Sequence, residues 1–262
     1  MKYVTYEKKD RIAYITLNRS EDLNAINAAT WQELAKAWEN FRDDPEVWTA
    51  ILTGAGNKAF SVGADLKELN TILGGTEGKE PSRIMRIMTY TPTRNLHVWK
   101  PIIAAINGLA MGGGLELAMA CDVRIATEQA MLGSPEVRVG VIPTMGGTQR
   151  LPRLIPFSIA LRMLMTGELI NAKEALRIGL IDEVVPQDKL MSAAEALANK
   201  INENGPLAVR SVKEAAYRGI GLPLEEGLQL ESLIMSRIFF GCDTKEGIQA
   251  FLGKRTPIFK CT

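Results

Sequence analysis

The sequence predicts an α/β protein that ends in a helical segment, and three observations predict it. Short apolar runs of strand length alternate with helical stretches from the N-terminus to "LIDEVV" (180–185). Beyond that point every periodic stretch repeats at helical spacing. Apolar residues make up 46% of the 262, enough to close a substantial core. The chain therefore divides into an α/β core over 1–195 and a helical region over 196–262.

The elements come in order. "YVTYEK" (3–8) and "RIAYITL" (11–17) are two strands around a charged turn. The stretch 27–44 is an amphipathic helix, because Trp31, Leu34, Ala35, Trp38 and Phe41 recur on one face and Pro45 follows its end. "VWTAILTG" (47–54) is a buried strand running into a Gly loop. "LGGTEGKEP" (73–81) is rich in Gly and charge and reads as a flexible stretch. The stretch 81–99 is mostly helical, with a bend or break at Pro92. Strands follow at 100–108 and 121–127, and the C-terminal helices fall near 187–203, 206–218, 222–240 and 244–253.

Composition excludes several functions. The net charge is +1, with acids and bases interspersed, so no basic face invites nucleic acid or anionic lipid. No apolar run reaches the roughly 18 residues of a membrane span, and neither "MKYVTYEKKD" nor "FKCT" matches a targeting or lipidation signal. Cys121, Cys242 and Cys261 are scattered and odd in number, as expected of reduced thiols in a cytoplasmic protein. The chain has no G-x-x-x-x-G-K-[ST] run and no G-x-G-x-x-G after the first strand. "AFSVG" lacks the first Gly of a nucleophile elbow. His97 is the only histidine, which leaves little for a Ser-His-Asp triad or a metal site.

The informative stretch is "GLAMGGGLELAMACD" (108–122), where a strand meets a turn and a helix begins among glycines. The first N–H groups of a helix lack partners and attract a negative oxygen. Glycines let that oxygen approach the backbone, though close packing alone also explains three glycines. A second Gly-containing loop, "GAGNKAFSVGADLKEL" (54–69), offers a backbone N–H near Gly63 and Ala64. Two donors converging on one carbonyl form an oxyanion hole. Glu116 and Glu136 lie in apolar surroundings, where a carboxylate is costly unless solvated, paired or protonated. Two acids in one pocket push their pKa values apart, giving a base and an acid.

These residues carry a resemblance. The segments 17–27, 51–69, 100–127, 133–155, 174–185 and 245–259 together resemble an enoyl-CoA hydratase of the crotonase superfamily, over nearly the whole chain. The resemblance implies a spiral of ββα turns, trimers or paired trimers (a homo-hexamer), and a C-terminal helical region that serves assembly. It implies that the N–H groups of Ala64 and Gly113 hold the thioester oxygen of an acyl-CoA, and that Glu116 and Glu136 are the catalytic pair. Gly63, Gly112 and Pro135, which flank them, are implied to bind the substrate as well. The loops carrying Leu23, Ala25, Ile26, Val62, Asp65 and Leu66 are implied to hold coenzyme A; Lys58 and Lys67 could meet its phosphates, though exposed lysines more often only solvate a surface. Phe251 and Lys254 match positions that approach the coenzyme A of a neighbouring subunit. Coenzyme A is part of the substrate, and no separate cofactor or metal is implied.

The expected reaction is reversible hydration of a 2-enoyl-CoA, with Glu116 as base and Glu136 as proton donor, an assignment the residue types leave open. Double-bond isomerisation, which needs one carboxylate, and a non-catalytic acyl-CoA or RNA-binding module on the same fold are the alternatives. The chain departs from the family pattern at Ser20, where Pro is usual, and at "PTMGG" (143–147), where Thr144 takes a Gly position and Met145 follows. Trp99 is a bulky residue before "KPIIAAI". The segment at about 70 to 99 is expected to shape the acyl end of the site.

Overall fold

The computed structural model describes residues 1–74, 93, 94 and 96–260. Strands β1 (Val4–Lys9) and β2 (Ile12–Leu17) form an antiparallel hairpin. Its two-residue turn holds Asp10 and Arg11 at φ 48° and 67°, the twist that joins two such strands. Helix α1 (Ala28–Asp43) begins where the Asn27 side chain accepts the Thr30 N–H at 2.8 Å. It buries Trp31, Leu34, Trp38 and Phe41, while Ala35 is half-buried. The chain then returns as β3 (Thr49–Gly54), parallel to β2.

From here each turn gives one strand to each of two sheets. The larger sheet, ordered β1-β2-β3-β5-β7-β10, takes β5 (Ile102–Ile106), β7 (Val123–Thr127) and β10 (Glu183–Val185). The smaller sheet, ordered β4-β6-β8-β9, takes β4 (Ala59–Ser61), β6 (Leu109–Met111), β8 (Met131–Gly133) and β9 (Leu169–Asn171). All five residues of β5 are buried, the mark of a parallel strand covered on both faces. Helix α2 (Leu66–Gly74) follows β4, and α3 (Gly113–Ala120) follows β6. Both therefore start at the same end of the smaller sheet. The result is a spiral of ββα turns.

Helices α4 (Gly147–Leu154), α5 (Phe157–Thr166) and α6 (Ala172–Arg177) complete the wall of the spiral. Helix α7 (Leu190–Asn202) lays Leu190, Ala194 and Ala198 on Ile51, Ile103 and Ile125 of the larger sheet. Helices α8 (Pro206–Gly219), α9 (Leu224–Ile238) and α10 (Cys242–Leu252) bury few side chains, and Val212, Ile220, Leu224, Phe240 and Phe251 are largely exposed.

The flexible stretch read at 73–81 and most of the helix read at 81–99 lie outside the described residues. Residues 96–99 are not helical. Among the described residues no helix is long and apolar enough to cross a membrane, and no cluster of His, Cys, Asp and Glu could hold a metal.

Candidate active site

Two loops meet where α2 and α3 begin. Gly63 adopts φ +82°, and a Cβ there would lie 2.6 Å from the Gly113 nitrogen, so the two backbones are in direct contact. A Cβ on Gly113 would in turn stand 3.8 Å from the Ala64 nitrogen. Gly114 presses still closer, because its Cβ would sit 2.1 Å from the Ser61 carbonyl oxygen. Ile26 bridges to this strand end, donating its N–H to Gly63 O at 2.7 Å and accepting from Asp65 N at 3.1 Å. Among the described residues, neither the Ala64 nor the Gly113 N–H donates to a protein acceptor. Gly113 is the first residue of α3, where a helix has no partner of its own to give. The 54–59 loop beneath is clamped by two side-chain amides. Asn24 Nδ2 donates to Ala55 O and Ala59 O, and Asn107 Nδ2 to Gly54 O, Gly56 O and Ala59 O.

Glu116 stands on the first turn of α3 and is only 2% exposed. Its Oε1 accepts the N–H groups of Met145 at 2.8 Å and Gly147 at 2.6 Å, so it caps the start of α4. Arg150, one turn along α4, fixes that loop by donating to Met145 O at 3.1 Å and Thr93 O at 2.9 Å. Burial pushes the Glu116 carboxyl up to about 7. The Gly147 and Met145 N–H groups and the Arg150 charge oppose that rise, and the charge of Glu136 adds to it.

Glu136 sits in a short 3-10 turn, Pro135–Val139, after β8. Both of its carboxylate oxygens are shielded from solvent, and no other described residue donates to them, its own main-chain N–H being the one donor that acts on its carboxyl. Burial raises its pKa as well. Its Oε1 lies 3.3 Å from where a Cβ on Gly112 would stand, which puts the acid against the residue before Gly113. The structure thus brings Glu116, Glu136, Gly112, Gly113, Gly63 and Ala64 to one place. A pair of free amides beside two acids whose ionisation burial shifts upward can polarise a carbonyl and move protons next to it.

The other loop residues divide. Leu23, at φ +53°, accepts the Val62 N–H at 3.2 Å, so the 23–26 and 62–66 loops run side by side. Ala25 and Ile26 are buried there, and Val62 and Pro135 are half-buried. Asp65 is held by Arg19 at 3.0 Å and accepts the N–H groups of Lys67 and Glu68, so its carboxylate fixes the start of α2. Arg19 also grips Ala25 O at 2.8 Å and Asp22 at 2.7 Å. Leu66, Lys58 and Lys67 are exposed. Beside them, Ser20, Glu21 and residues 55–59 line a cleft of about 300 Å³. Phe251 and Lys254 stand apart at the end of α10, Phe251 being 84% exposed. Sequence reasoning passed over Arg19, Asn24, Asn107, Ser61 and Arg150. Of these only Asn107 carried a visible signal, as half of an Asn-Gly turn.

Comparison with known proteins identifies the family of the chain. Residues 7–261 match the family model for enoyl-CoA hydratase/isomerase. Among curated relatives, the (E)-benzylidenesuccinyl-CoA hydratase of Thauera aromatica is 42% identical over 98% of each chain. The short-chain-enoyl-CoA hydratase of Clostridium acetobutylicum is 42% identical over 96% of this chain and 95% of its own. Among solved structures, the enoyl-CoA hydratase of Bacillus anthracis superposes with a TM-score of 0.93 at 40% identity, covering 99% of this chain and all of its own. The chain belongs to the enoyl-CoA hydratase/isomerase family of the crotonase superfamily.

Proposed function

We propose that this protein is an enoyl-CoA hydratase, a hydro-lyase that adds water across the 2,3 double bond of a 2-enoyl-CoA and runs reversibly to the 3-hydroxyacyl-CoA. The observation that carries the reading is the pairing of two buried acids with two unpaired main-chain N–H groups at the start of α3. The hydratase names of relatives at about 40% identity support it.

The chemistry follows from that arrangement. Ala64 and Gly113 donate to the thioester oxygen and stabilise the charge that develops there, each donor supplying on the order of 10²–10³ in rate. Glu116 takes a proton from a water held between the acids as its oxygen bonds to the β-carbon. The π electrons move onto the thioester oxygen, and Glu136 gives a proton to the α-carbon. Exchange of the proton between the acids through the next water restores the starting state. Isomerisation would need one carboxylate and no water, so a second acid to which no other described residue donates favours hydration. A binding module without turnover would have no use for two costly buried carboxylates. Coenzyme A is placed along the 23–26 and 62–66 loops. We further assign the exposed apolar residues of α8–α10 to contact with further copies of the chain in a trimer or hexamer. A monomeric mass by light scattering at micromolar concentration would refute that assembly.

Loss of the enoyl-thioester absorbance on adding crotonyl-CoA tests the activity. Glu116→Gln and Glu136→Gln should each lower kcat by about 10²–10⁴. Failure of the wild type to turn over short, long or cyclic enoyl-CoA esters while still binding coenzyme A would favour the non-catalytic reading. Near-normal rates in either variant would contradict the shared water.

A further inference from the structure

The geometry points to Ser61 as the positioning residue for the amide side of this site: its buried hydroxyl anchors the Val62–Gly63 peptide, from which the peptide that presents the Ala64 N–H hangs. The inference rests on the hydratase reading above and deepens it. Ser61 closes β4 and is fully buried. Its Oγ donates to Asn24 O at 2.8 Å and accepts the Gly63 N–H at 3.1 Å. Only a hydroxyl serves both partners well, since one is an acceptor and the other a donor.

This pair of bonds sets a direction. The Gly63 carbonyl and the Ala64 N–H belong to one planar trans peptide, so they point to opposite sides. Ile26 holds the carbonyl at 2.7 Å, and the Ala64 N–H must therefore face away from Ile26. Gly63 is the swivel between that peptide and β4, at φ +82°, and glycine has the widest range of φ and ψ of any residue. Ser61 ties the peptide on one side of that swivel through the Gly63 N–H and Ile26 ties the peptide on the other, and the two bonds together remove the freedom. The Ser61 main chain also packs beside the other donor, because its carbonyl lies against Gly114, the neighbour of Gly113. One residue thus anchors the approach to one amide and packs against the neighbour of the other.

Ser61→Ala leaves the Gly63 N–H buried without an acceptor and frees the swivel. The expected result is a fall in kcat of about tenfold, with KM within about twofold and with the pH profile unchanged because the acids are not involved. A second readout separates positioning from mere stability: the infrared C=O stretch of bound butyryl-CoA, a saturated thioester that cannot be hydrated. In the wild type it should shift to lower frequency on binding, and in Ser61→Ala the shift should shrink. Ser61→Cys keeps the volume with a weaker acceptor, so it should fall between the two. It carries the test should the alanine variant not fold. Wild-type kcat per folded site, or a lower kcat with a full carbonyl shift, would overturn the role of Ser61. A wild type that neither hydrates enoyl-CoA nor shifts the carbonyl would instead overturn the underlying reading.

Discussion

On one side of the site, Ala64 and Gly113 present main-chain N–H groups whose places are set by backbone packed on backbone, Gly63 against Gly113 and Gly114 against Ser61. On the other side, Glu116 and Glu136 present side chains whose ionisation burial shifts to higher pH. The two sides also differ in how completely their partners are supplied. Glu116 accepts two N–H groups from the 145–147 turn, whereas Glu136 accepts from no other described residue. The amide side therefore cannot be altered without moving the chain. The acid side can be altered by exchanging one atom. Gly114 and Glu116, two positions apart on α3, place this contrast within a single helical turn.

Gly114→Ala is the largest break. Its Cβ would fall 2.1 Å from Ser61 O and 2.7 Å from Ser61 C, and backbone atoms in a strand have nowhere to go. The expected result is a loss of stability on the order of 3 kcal/mol or more, together with collapse of activity, because α3 must lift away from β4. Denaturant unfolding and crotonyl-CoA turnover measured on the same preparation check it. Unchanged stability would mean that the packing on this side is looser than the contact implies.

The same contrast governs what could be read from sequence. Helix α1 was legible because Trp31, Leu34, Trp38 and Phe41 repeat at one spacing and Asn27 supplies a cap. The parallel strands were legible because burial on both faces makes them continuously apolar, as in β5. The acids stood out as carboxylates in apolar runs. Their supports did not stand out. Met145 and Gly147 lie about 30 residues from Glu116 and act through main-chain N–H groups, which every residue but proline has. Ser61, Asn24 and Asn107 are small polar residues whose partners are carbonyls 35 or more residues away in several cases, and no local pattern marks such a pairing. Asp65, assigned to coenzyme A by resemblance, has its carboxylate engaged by Arg19, a pairing across 46 positions.

The acid side yields a smaller effect with an opposite sign. Folding raises the pKa of Glu116 to about 7, from an ordinary value near 4.3. The folded chain thus holds this proton more tightly than the unfolded chain does. The resulting stability is fully present below the ordinary pKa. It is lost as pH rises, because the unfolded chain gives up the proton first, and the loss is complete once the folded group ionises near pH 7. Glu116→Gln removes the titration while keeping an oxygen to accept the Met145 and Gly147 N–H groups. The variant should therefore be catalytically impaired yet more stable relative to wild type at pH 8 than at pH 4.5, by on the order of 2–3 kcal/mol. Glu136, also raised by burial, is present in both proteins and largely cancels in the difference. Urea unfolding of the two proteins at the two pH values measures it. A difference independent of pH would mean that Glu116 ionises in its ordinary range. The opposition between a packed amide side and a proton-holding acid side would then fail, since two N–H donors would have fully offset the burial of its charge.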